Sequence, residues 1–441
     1  MKSNSRITTG IARPRRPLPL SMRLALVGVV AIIGFAGCNS STTSPSAQLS
    51  APPSAVPTAT STPTTTLAPT PTRTQTPKPT PTSTPKPTPT TMPMPKFVPT
   101  GSMHIGRLGD TATLLQNGKV LIAGGGEPQQ NGQIFSSAEL YDPTTGRFTK
   151  TGSMRVARSG HTATLLQNGK VLIAGGGVCT DKSCIRVNSV ASAELYDPNT
   201  GKFSLTGSMA TPRGDATATL LRDGRVLLAE GDYGGRADLY DPNSGKFTPT
   251  GNEIEFDNPS ATLLSNGNVL VTGGDIRGPH YGALYDEARG KFTKISLELA
   301  PGTAPVIQFK GQDVDRAWPG PVTVLKDGRV LLFEGGYLVT YDPATGKCAA
   351  SGFISPAGDW MVPTATLLKD GRVLFAGGQL TLDPATNDDE ITNTAVVYDP
   401  TSGSQATGSM KEARLYPTAT LLSNGNVLIA GDGNSAELLK P

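Results

Sequence analysis

Residues 161–177 read HTATLLQNGKVLIAGGG, and this stretch decides the fold because the chain writes it seven times with variations. An apolar run, the pair Asn168-Gly169, a second apolar run and a glycine cluster specify a buried antiparallel hairpin. Asn-Gly suits a two-residue type I′ turn, which needs positive φ at both positions. The pairs Asn117-Gly118, Asn168-Gly169, Asp223-Gly224, Asn266-Gly267, Asp327-Gly328, Asp370-Gly371 and Asn424-Gly425 recur at intervals of 43 to 61 residues. A third run follows in each repeat, AELYD at 138–142 for example, and a turn such as Pro143 to Gly146 leads into a fourth, RFTKTGSM at 147–154. Four short strands in a repeat of this length predict the blades of a propeller.

The two ends of the repeat region complement each other. KFVPTGSM at 96–103 is a fourth strand with no first three before it, and residues 418–441 supply three strands with no fourth. The first segment is therefore expected to complete the last blade and close a ring of seven, which hides sheet edges that an open array would expose.

The glycine pairs Gly124-Gly125, Gly175-Gly176, Gly273-Gly274, Gly335-Gly336 and Gly377-Gly378 resemble the double glycine of kelch repeats; repeats three and seven keep only Gly231 and Gly431. Tyr141 with Phe148, Tyr196 with Phe203, Tyr240 with Phe247 and Tyr285 with Phe292 resemble the kelch Tyr–Trp pair, phenylalanine replacing tryptophan. Cys348 and Gln405 depart from the pattern at the second position, and Leu439 departs at the first. The resemblance covers about residues 97–441. It implies an all-β, seven-bladed kelch-type β-propeller closed by an N-terminal outer strand, in the superfamily of the galactose oxidase central domain.

The formal net charge of +4 misleads, because Lys2, Arg6, Arg13, Arg15, Arg16, Arg23, Arg73, Lys78, Lys86 and Lys96 precede the repeats and no acid does. From residue 97 onward acids outnumber bases, so no footprint for nucleic acid is expected. Residues 24–37, LALVGVVAIIGFAG, form an apolar run after a basic stretch. It is shorter than the roughly 20 residues of a spanning helix and has the layout of a secretory signal. Phe35-Ala36-Gly37-Cys38 resembles a bacterial lipobox, with Phe35 where leucine is usual. The resemblance implies that residues 1–37 are a lipoprotein signal peptide and that Cys38 carries the lipid; an ordinary signal peptide or a signal anchor is the other reading. Residues 38–96 are Ser, Thr and Pro with little to bury, a disordered stalk biased to polyproline II at about 3.1 Å per residue. The expected address is the bacterial cell envelope outside the cytoplasmic membrane.

Chemistry is sparse in the repeats. His104, His161 and His280 fall at different phases of three repeats and make no metal-ligand spacing, so neither a metal nor a cofactor is expected. Copper radical oxidases of the resembling superfamily place a Tyr-His pair just before a first strand. Here Arg414-Leu415-Tyr416-Pro417-Thr418 has the tyrosine without the histidine, and Arg158-Ser159-Gly160-His161-Thr162 has the histidine without the tyrosine. Cys179 and Cys184 share one loop, which in an oxidising compartment reads as a local disulfide or as a small metal clip. Cys348 reads as a buried thiol. Asp383, Asp388, Asp389 and Glu390 crowd one loop without the spacing of a calcium site and read as solvated charge.

One positional series remains. Four residues before each first strand stand Arg107, Arg158, Arg213, Phe256, Trp318, Trp360 and Arg414. Repetition places them in a ring on one propeller face, with Tyr416 beside it. Aromatic faces next to guanidinium groups suit a carbohydrate or a carboxylate-bearing peptide. The structural reading is that the arginines bond loop carbonyls of the neighbouring blade and the tryptophans fill gaps. Together these features predict a monomeric, extracytoplasmic module binding a glycan, protein or peptide at one mouth. The alternative is a carbohydrate-active enzyme of the same superfamily.

Overall fold

The computed structural model describes residues 96–127, 132–181, 184, 187–229, 231, 236–253, 256, 259–273, 281–297, 308–309, 312–313, 319–334, 336–355, 359–383, 388–403 and 405–441. The stretch expected to be a signal peptide, Cys38, the expected stalk up to residue 95, His280 and Trp318 lie outside the described residues.

Among the described residues there is no helix, and seven sheets have four antiparallel strands each. The first runs Leu108–Leu114, Val120–Gly126, Ala138–Asp142 and Arg147–Lys150 from inner to outer strand. The second to sixth begin at Thr162–Leu165, Thr217–Leu220, Ser260–Leu263, Pro319–Val324 and Thr364–Leu367. The seventh holds Thr418–Leu421, Val427–Ala430 and Glu437–Lys440, and its outer strand is Lys96–Pro99 from the other end of the repeat region. Phe97 sits opposite Leu439, in the register that Phe148 has with Tyr141, so Phe97 is the aromatic that the last repeat lacks. Each inner strand neighbours the inner strand of the next sheet, and the seventh neighbours the first.

The hairpin turns differ from expectation. The closing pair is Leu115 with Lys119, and Gly118 N–H donates to Leu115 O at 3.0 Å. Gly118 has φ +80°, whereas Asn117 stays out of the left-handed region. The loop is thus three residues long, a type I turn followed by a left-handed glycine, and not type I′. Asn117 Oδ1 explains the choice: it accepts the N–H of Lys119 at 3.1 Å and holds the asparagine in the right-handed conformation. The same bond recurs in all seven turns, with aspartate serving in three.

The core is divided among the junctions between sheets. The second strand of sheet one sends Leu121 and Ala123 toward sheet two, where they meet Val171, Ile173 and Tyr196. It sends Val120 and Ile122 the other way, toward Leu422, Leu428 and Ala430 of sheet seven, with Met103 joining them. Five more clusters fill the remaining junctions in the same manner. Tyr141–Phe148, Tyr196–Phe203, Tyr240–Phe247 and Tyr285–Phe292 stack across their strands at 4.8 to 4.9 Å. Cys348 stands in the equivalent place on sheet five, outside any disulfide, and is half-buried, less enclosed than expected.

At the Asn-Gly face, side chains preceding the turns reach to the next sheet. Gln116 and Gln167 donate to Gln167 O and Arg222 O, Arg222 to Ser265 O, Lys326 to Lys369 O and Lys369 to Ser423 O. Lys96, paired with Lys440, lies at this same face.

Candidate functional site

The loops leading into the inner strands gather at the opposite face. Each begins with one residue of the series predicted above, and the structure buries most of them. Arg107, Arg158, Arg213, Arg414 and Trp360 are at most 1% exposed, so none offers a face to a ligand. This corrects the expectation of a stacking ring.

What these side chains do instead is specific. Arg107 Nη1 donates to Gly124 O at 2.7 Å, and Nη2 approaches Glu139 Oε1 at 3.2 Å. Arg158 repeats this with Gly175 O and Glu194, and Arg414 with Gly431 O and Glu437. Arg213 pairs with Asp238 at 3.0 Å. The carbonyls belong to the sheet that the loop leads into, not to its neighbour as expected. The carboxylates also accept N–H groups of the loops: His104 N to Glu139, Arg155 N and Val156 N to Glu194, Lys411 N and Glu412 N to Glu437. Burial alone would raise the Glu139 carboxyl, but bonds from the His104 backbone and ring and the nearby Arg107 carry it below the usual range.

Trp360 performs the same task without charge. Its Nε1 donates to Gly377 O at 2.6 Å, seventeen residues on, as the guanidinium of Arg107, Arg158 or Arg414 does to its own glycine. Its ring meets Phe333 edge-on at 5.8 Å. Val396 stands where sheets one, two and seven have glutamate. Phe256 is half-buried against the core between sheets three and four, and its sheet carries Ala283 at that place. Arginine therefore occurs with an acid in the third strand, and an aromatic occurs with Ala283, Val339 or Val396. The sequence held this pairing, but reading the loops without the third strands hides it.

The groups facing the mouth come two and three residues later. At the second position Gly109, Gly160, Asp215 and Val362 adopt positive φ, from +48° to +69°. Asp215 is exposed and Tyr416, at the same place on sheet seven, is half-buried. Burial raises the Tyr416 phenol above its ordinary value, and the charge of Asp215 adds to it. At the third position Asp110 is 8% and His161 5% exposed. His161 Nε2 meets Thr111 Oγ1 at 3.0 Å, while Nδ1 and both Asp110 oxygens have no hydrogen-bond partner. Burial pushes Asp110 up to about 6, opposed by the charges of Arg107 and Arg414. Burial, helped by Arg158, holds His161 down to about 3, so its imidazole is neutral. Sequence reasoning passed over Asp110 and Asp215, whose only signal is that they interrupt a repeat of Gly, Pro and Ala.

The other candidates resolve locally. His104 is 46% exposed and its Nδ1 meets Glu139 Oε2 at 2.7 Å. Cys179 and Cys184 form a disulfide, which rules out the metal clip. The acids of repeat six flank a hairpin of Gln379–Asp383 and Asp388–Ile391, where Asp389 accepts from Thr381 Oγ1 at 2.8 Å.

Residues 107–155 match the Kelch motif. Among solved structures, a fungal alcohol oxidase of the AA5 family in complex with copper aligns with TM-score 0.58 and 15% identity, over 79% of this chain and 77% of that one. The fold is that of a kelch-type β-propeller. A streptogramin B lyase aligns with TM-score 0.55 and 13% identity, over 79% and 98% of the two chains. No curated protein matches the sequence. The propeller's mouth does not fit the oxidase's copper: Tyr416 and His161 stand on sheets seven and two, and His161 Nε2 is engaged by Thr111. Among the described residues no three His, Cys, Asp or Glu side chains converge as metal ligands.

Proposed function

We propose that this chain is a closed seven-bladed propeller, tethered outside a bacterial membrane by a lipid on Cys38 and the stalk of residues 38–96, and that it binds carbohydrate at the mouth of its inner strands. Closure is supported by the pairing of Lys96–Pro99 with Glu437–Lys440 and by the core shared between sheets seven and one. The tether is supported by the sequence alone. The observation carrying the binding site is that a repeated scaffold stops repeating at one place. There the loops carry the exposed Asp215 and the half-buried Tyr416, which feels its charge, and in the next position of other loops the buried Asp110 and His161. A phenol ring stacks on a sugar face, and carboxylates accept from its hydroxyls. These residues replace the arginine and tryptophan ring as the proposed contacts.

The test is an array of glycans and peptides probed with the wild type and with Asp215→Ala, Tyr416→Ala. Glycan binding that the double variant loses supports the site. Equal binding by both proteins removes the site, and binding of peptides alone removes the ligand class.

A second reading, a carbohydrate-active enzyme, draws on one observation. Asp110, pushed up to about 6, shares the mouth with the exposed carboxylate of Asp215, and unlike carboxyls are what acid–base chemistry on sugars uses. Release of reducing ends from a glycan that binds would favour it.

A further inference from the structure

Asp110 occupies the join where the two ends of the ring meet. A Cβ placed on Gly431, at the end of the seventh sheet's second strand, would lie 3.2 Å from Asp110 Oδ1. In the other six loops the same place holds His161, Ala216, Pro259, Pro321, Pro363 and Pro417, and His161 is neutral. Asp110 is thus the one charged residue at this position. Both its oxygens are buried without a hydrogen bond to any other residue, its own backbone N–H being the one donor near them. The nearby cations are already engaged, Arg107 by Glu139 and Arg414 by Glu437. From sheet seven Asp432 faces the join, but its carboxylate accepts from Leu415 N at 2.8 Å and its N–H donates to Arg107 O at 2.7 Å. Tyr416 approaches from the same sheet through its carbonyl. His104 sits on Glu139, and His161 is occupied with Thr111.

We infer that Asp110 makes the join between the seventh and first sheets sensitive to pH: as the neutral acid it packs without penalty, and as the carboxylate it is a buried charge without a partner that favours opening. Burying an ionised group without pairing is costly, and opening the join returns it to water. The direction agrees with a carboxyl pushed up from 3.8 to about 6. A raised folded value means that the join has its full strength below about pH 4 and loses it as pH rises through 6. The linked opening equilibrium then grows about 100-fold between pH 4 and pH 8.

Native-state hydrogen exchange on the full chain tests this. The reporters at the join are the amides of Asp432 and Arg107, bonded to Arg107 O and Gly433 O at 2.7 and 3.2 Å. The control is the Gly176 amide, bonded to Arg213 O at 2.7 Å where sheets two and three meet beside Ala216. After correction for intrinsic exchange, protection at the join is expected to fall about 100-fold relative to the control from pH 4 to pH 8. Asp110→Asn abolishes the fall. Asp110→Ala, copying sheet three, gives the same result should the asparagine misfold. Join protection that tracks the control throughout, or a pH dependence surviving in both variants, overturns the inference.

Discussion

Exchanging one buried ion pair for its apolar counterpart probes the loops most directly. In sheet two, Arg158→Trp with Glu194→Val copies Trp360 and Val396 of sheet six. Glu194→Val alone strands a guanidinium that is fully buried, and breaking such a pair costs about 3–5 kcal/mol. Arg158→Trp alone leaves the Glu194 carboxylate buried with only the N–H groups of Arg155 and Val156, a loss of similar order. In the double variant neither charge remains. The Trp indole reaches Gly175 O as Trp360 reaches Gly377 O, and the backbone of exposed Arg155 finds water. The double variant is expected within about 2 kcal/mol of the wild type, because apolar replacement of a whole buried pair is often close to neutral. The coupling energy from urea unfolding of the four proteins is therefore several kcal/mol. A double variant as unstable as the sum of the singles would falsify the equivalence of the two arrangements.

Further outcomes follow from the same geometry. Deleting residues 97–103 removes Phe97, Met103 and a whole outer strand, and calorimetry should show a sharply lower melting temperature; an unchanged transition would contradict closure by this strand. His161 is held neutral with a value near 3 against an ordinary 6.5. Its stabilising share is whole above pH 6.5 and is lost as pH falls through 3, about 3 kcal/mol by pH 4. His161→Gln should flatten the acid limb of a stability–pH curve, and an unaltered limb would place acid sensitivity elsewhere. Reduction of Cys179–Cys184, which closes only a short loop, should leave the global transition nearly unmoved while hydrogen exchange rises locally at Gly177–Cys179 and Val187–Ser189.

Periodicity made the strands and the pairing of the two ends legible, since both depend on apolar spacing and on counting runs. The turn conformation was misread because Asn-Gly serves two loop lengths, and the asparagine's bond to the residue two further on decides between them. The loop series was found at the right positions with two roles open, and of these the structural one holds for the arginines, with the carbonyls on their own sheet. Repeated arginine on a surface loop can look like a ligand contact until the glutamate in the third strand of the same sheet is read with it. Asp110 was invisible for a different reason: its significance lies in having no partner, which only packing against Gly431 reveals.

The division of the core has one more consequence. The second strand of each sheet gives alternate residues to the sheet before and the sheet after, as Val120 and Ile122 go one way and Leu121 and Ala123 the other. Every junction is therefore heterologous, one kind of face meeting another. Contacts of that kind either close on themselves or run on without limit. In the closed ring proposed above, the four residues Lys96–Pro99, the outer strand that the seventh sheet borrows from the other end, help hold the chain to the closed outcome. A chain deprived of them is expected to offer those complementary faces to neighbouring chains, an open-ended assembly that light scattering would detect.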